Sequence, residues 1–99
     1  MALATMNDVT LVNERVDVVA VYRRHGDVKL LCFPHKMKFR NQELLFTELA
    51  LRHPTHQGKR MIHVFDMYDG NNSYRLEFDA EALIWTLIYI MEGSSELRA

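Results

Sequence analysis

A single cysteine, Cys32, is the entire thiol content of the chain. It excludes an intramolecular disulfide framework and suits a reducing compartment. No apolar run approaches the roughly 20 residues that a membrane-spanning helix requires. The stretch from Met1 to Asn13 has no basic segment followed by a long apolar one, so it does not read as a secretory leader. A cytoplasmic location without a membrane partner is the resulting expectation. Glycine-rich phosphate loops, His-Glu-x-x-His sequences and nucleophile-elbow sequences are also missing. So are an aromatic RNA-binding signature, a helix-turn-helix pattern and any internal repeat. These absences leave catalysis with little support and point to a non-catalytic binding or assembly domain.

What is there is a balanced globular composition: hydrophobic residues make up 48% and charged residues 25% of the chain. Ninety-nine residues hold one domain with one modest core. Pairing with a second copy would widen the thin stability margin of such a core, so a homodimer is expected. The formal net charge of −1 hides a strong segregation. Residues 22–63 carry nine Lys or Arg against three acids, together with all five histidines. Residues 64–99 carry seven acids against two Arg, and residues 1–21 carry three acids against one Arg. Such polarity either makes a cationic face or cancels where basic and acidic strands are neighbours.

The pattern along the chain is mainly that of strands. Residues 14–23 are rich in valine, whose branching at Cβ favours extended backbone. Arg23-Arg24-His25-Gly26-Asp27 supplies a reversal, and Val28–Phe33 pairs back as a second strand. Pro34 marks an edge, bend or junction before a short third strand, His35–Phe39. Gln42–Arg52 has helix formers with Leu45, Leu49 and Arg52 at helical spacing and Asn41 as a cap. A short helix ending at Pro54 is preferred there, with a strand over 43–47 as the competitor. Arg60–Tyr68 and Ser73–Phe78 flank Asp69-Gly70-Asn71-Asn72, a hairpin turn. After Asp79, a turn over Ala80–Leu83 and a strand over Ile84–Met91 compete with a helix over Ala80–Glu92. The expected fold is therefore mainly β, or α+β if that last element is helical: a small curved antiparallel sheet or partly open barrel with one short helix. The domain is expected to span residues 14–92, between flexible segments at 1–13 and 93–99.

Three kinds of chemistry can be placed on this frame. Arg23, Arg24, Lys29, Lys36, Lys38, Arg40, Arg52, Lys59 and Arg60 could form a basic surface for an acidic partner. Single-stranded nucleic acid is one form of that partner, with phosphates on the cations and bases stacked on exposed Tyr22, Phe33 or Phe39. Cys32-x2-His35 and His53-x2-His56 have spacings that could hold zinc if the loops brought the two pairs together. Buried Cys32 and polar loop histidines explain the same residues without a metal, so no cofactor is expected. Cys32 beside His35 also offers a nucleophile and a base, without an identifiable orienting group.

The runs Val28-Lys29-Leu30-Leu31-Cys32-Phe33 and Tyr74-Arg75-Leu76-Glu77-Phe78-Asp79, with the later Trp85, resemble those of small uncharacterised bacterial β-rich domains. That family pairs a basic Pro-Leu-x-Phe strand with a final Tyr-x-Leu-x-Phe-Asp…Trp hairpin. Leu30 stands at the proline-like position here, and His35 replaces the aromatic residue expected after the first strand. The resemblance spans roughly residues 14–90. It implies a β-rich fold and carries over no active residue or substrate.

Overall fold

The computed structural model describes residues 8–26 and 32–93. Eight strands make up the regular structure of the described residues: β1 (Val9–Arg15), β2 (Asp17–Tyr22), β3 (Cys32–Phe39), β4 (Gln42–Leu45), β5 (Glu48–Gln57), β6 (Arg60–Tyr68), β7 (Asn72–Asp79) and β8 (Ile84–Glu92). They form two antiparallel sheets, one ordered β1-β8-β7-β6-β5 and the other β2-β3-β4. The mainly β expectation is met by two sheets that do not close into a barrel. Among the described residues there is no helix.

The two sheets are joined at both edges by almost no intervening chain. β1 passes into β2 through Val16, whose N–H donates to the Trp85 carbonyl at 3.1 Å. β4 passes into β5 through Phe46 and Thr47, whose N–H groups donate to His35 and Tyr68 carbonyls at 2.9 and 2.7 Å. The single strand expected over 14–23 is thus two strands in different sheets. β1 also begins at Val9, within the segment expected to be flexible. The rest of the expected flexible segments, at 1–7 and 94–99, lies outside the described residues, as do residues 28–31 of the expected second strand.

The helix expected over Gln42–Arg52 is replaced by β4 and the start of β5. Leucines at 44, 45, 49 and 51 fit either period, and pairing decides between them. Leu44 stands opposite Met37, and Phe46 is buried in the core. Pro54 does not end this element; it lies inside β5. β5 is an edge strand, where a missing N–H can be tolerated. The expected second and third strands merge into β3, which pairs with β2 from Tyr22–Cys32 to Asp17–Lys38. The register jumps from Val19–Lys36 to Ala20–Pro34, so His35 is the extra residue of a bulge. That bulge lets buried Pro34 sit within a central strand.

The hairpin over Asp69–Asn72 forms as the sequence indicated. Asp69 Oδ1 accepts the Asn71 and Asn72 N–H groups, each at 2.8 Å, and Gly70 takes φ 98°. After Asp79 the turn-plus-strand reading holds rather than the helix over Ala80–Glu92. Asp79 Oδ1 accepts the N–H groups of Glu81 and Ala82, and β8 follows.

On the large sheet, directly opposed residues share a face. One face carries Phe65, Met67, Tyr74, Leu76 and Leu87, and it packs with Met37 and Phe46 in a single buried cluster. Val18, Phe33, Phe39 and Leu44 close the cluster from the small-sheet side. The other face carries Ser73, Arg75, Glu77 and Asp79 of β7, as alternation along that strand indicates.

Candidate functional site

The basic stretch of the sequence is divided between the two sheets and their turns, and part of its charge is cancelled. Arg60 Nη1 lies 3.2 Å from Asp79 Oδ2, and its Nε donates to Glu81 Oε1 at 3.2 Å. Arg40 donates to the Glu14 carboxylate while its guanidinium lies 4.8 Å over the Phe39 ring. Lys36 is 3.9 Å from Glu43. Lys38 stands in a transverse row between Asp17 and Glu43. Lys59 occupies the turn between β5 and β6, and Lys29 lies outside the described residues. Neighbouring basic and acidic strands therefore neutralise three of the nine candidate cations directly.

Arg23 and Arg24 are different. They follow β2, and no acidic side chain among the described residues forms an ion pair with either. The Arg23 guanidinium lies 5.4 Å over the Phe33 ring. Arg23 and Phe33 line a depression of about 240 Å³ at the junction of the sheets, floored by Phe46 and Met67, and Arg24 is the next residue along the chain. Thr47 and Leu49 complete its wall, and Glu48, which also lines it, has a partner of its own. Tyr22, immediately before Arg23, is 69% exposed. The corner thus combines two guanidinium groups that form no ion pair among the described residues, an exposed phenol and a partly open aromatic ring. Such a set binds anions through charge and flat rings through stacking.

The proposed zinc ligands are not gathered. Cys32 and His35 belong to β3 in the small sheet, whereas His53 and His56 belong to β5, an edge strand of the large one. Among the described residues no three His, Cys, Asp or Glu side chains are close enough together to hold a metal ion. Cys32 instead faces Tyr22 across the β2–β3 ladder. Its charge, then burial and a hydrogen bond to its sulfur, push the Tyr22 phenol up. His53 Nδ1 is 3.3 Å from the Pro54 carbonyl. No hydrogen bond joins Cys32 to His35, so the nucleophile-and-base pairing is not assembled either.

His63, not among the residues that composition and spacing single out, shares a face of the sheet with Arg52 through the Arg52–Phe65 and Pro54–His63 pairs. Arg52 lies 5.6 Å over Phe65, and its Nε and His63 Nδ1 are buried without a hydrogen-bond partner. Burial, then the Arg52 charge, holds the imidazole below its ordinary pKa. The signal was present in the alternation of Met61, His63 and Phe65, which puts a histidine on a largely apolar face.

Protein-family models, curated proteins and solved structures were compared with the chain, and none matches.

Proposed function

We propose that the chain is a small non-catalytic binding domain whose Arg23–Arg24 corner contacts an acidic partner, with single-stranded nucleic acid as the form of partner it suits best. The observation that carries this reading is the pair of guanidinium groups without acidic partners among the described residues, beside an open, aromatic-lined depression. A phosphate backbone would follow the two arginines, while an unstacked base would lie against Phe33 or the exposed Tyr22. Arg40 and Arg60 contribute little, because each is already engaged by carboxylates.

Fluorescence anisotropy with a labelled mixed-sequence oligonucleotide of about 12 nucleotides tests this reading. Binding should be measurable at low salt and weaken steeply between about 50 and 200 mM. Replacing both arginines, Arg23→Ala with Arg24→Ala, should flatten the slope of log affinity against log salt by about 1.4, or about 0.7 per lost phosphate contact. Arg60→Ala should leave it nearly unchanged. Equal competition by polyglutamate would assign the corner to an acidic protein instead. Absence of binding at low salt to both polymers would overturn the proposal.

A further inference from the structure

The outer face of the large sheet holds a second depression, of about 250 Å³, that shares no residue with the arginine corner. Register sets its geometry. Arg15, Thr86 and Glu77 stand in one transverse row across β1, β8 and β7. Ile84, Asp79 and Ile62 stand in the next row, across β8, β7 and β6. With strands about 4.8 Å apart, the Arg15 and Glu77 backbones lie about 10 Å from each other, on either side of Thr86.

The charges in this trough differ in how far they are already used. Asp79 is occupied, bonded to Arg60 and to the Glu81 and Ala82 N–H groups. Among the described residues Glu77 receives only the Gln57 amide, at 3.5 Å, the outer limit of a hydrogen bond. Arg15 forms no ion pair among the described residues, and none joins it to Glu77. Between these opposite charges the Thr86 hydroxyl can both donate and accept. Ile62, which is 5% exposed, and half-buried Ile84 supply an apolar floor.

We propose that this trough binds a small zwitterion, a free amino acid with an apolar side chain. Its ammonium is held by Glu77, its carboxylate by Arg15, and its side chain lies on Ile62 and Ile84. Opposite charges at two ends of one small site require both ionic groups in a single ligand, since either alone leaves one wall unmatched. A guanidinium suits the carboxylate because it offers two parallel N–H donors.

Two-dimensional amide NMR on the intact chain, titrated with leucine, reads the site directly. Saturable shifts are expected at Thr86, Ile62 and Ile84. Leucine methyl ester, which lacks the carboxylate, and 4-methylpentanoate, which lacks the ammonium, should each bind at least about tenfold more weakly. Glu77→Gln and Arg15→Met should each cost a similar factor, whereas Arg24→Ala should leave leucine affinity unchanged. Equal binding of all three compounds, or no saturable shift with leucine, would overturn the proposal. The ligand series uses the unaltered chain, so it decides the matter even if one variant fails to fold.

Discussion

At the scale of single residues, two titratable groups set opposite limits on stability. Tyr74 is buried in the inter-sheet cluster, and its hydroxyl donates to Asp69 Oδ2 at 2.7 Å. Burial first, then that bond, pushes the phenol up to about 12. Above about pH 10 the unfolded chain releases a proton that the folded chain keeps, so stability falls as pH rises, by up to about 1.4 kcal/mol per unit. His63 works in the other direction. Its imidazole is held below the ordinary value of about 6.5, so in acid the unfolded chain takes up a proton that the folded one refuses. Urea midpoints measured across pH should therefore decline at both ends. Tyr74→Phe should remove most of the alkaline decline while lowering neutral-pH stability by about 1 kcal/mol through the lost hydrogen bond. An alkaline decline unchanged in that variant would show that another group is responsible.

At the scale of elements, turn chemistry explains what the sequence made legible and what it did not. The Asp69–Asn72 hairpin was readable because Asp and Gly have few other uses between two alternating runs. The strand after Leu83 was readable from its β-branched and aromatic content. The β3–β4 turn was misread, since Asn41 serves equally as a helix cap. In the structure Arg40 and Asn41 both take positive φ, 51° and 68°, between the paired residues Phe39 and Gln42. This is the two-residue turn whose twist matches antiparallel strands, and asparagine is favoured there. Asn41→Gly should leave the denaturant midpoint nearly unchanged. Asn41→Val should cost roughly 1–2 kcal/mol, because a branched Cβ is strained in that region. Equal midpoints for the two would contradict the turn assignment. The candidate sites were less legible than the strands for a related reason: a run of basic residues records composition, whereas Arg60 and Arg40 lose their availability to acids at sequence-distant positions. The outer trough was invisible for the same reason, because Arg15 and Glu77 meet only through register.

At the scale of the whole molecule, two sheets share one core, and each edge strand of the large sheet continues directly into an edge strand of the small one. Neither sheet is a separable unit. Among the described residues β1 is an edge strand paired only with β8, and it presents Val9 and Leu11 at 42% and 71% exposure. A second copy adding along that edge is how the homodimer proposed from chain size would form. Sedimentation equilibrium should then show a dimer at micromolar concentration that Leu11→Glu converts to monomer, and a monomeric unaltered chain would rule the assembly out. The same pairing has a consequence for how the protein is made. Val9 lies opposite Met91 and Arg15 opposite Thr86, so the first strand has no partner until the last has left the ribosome. At translation rates of about 5–20 residues per second, that delay lasts roughly 4–15 s. For all of it the nascent chain carries an unmatched strand that exposes Val9, Leu11 and Val12, and a passing chaperone or a neighbouring copy on the same message meets that strand before β8 does.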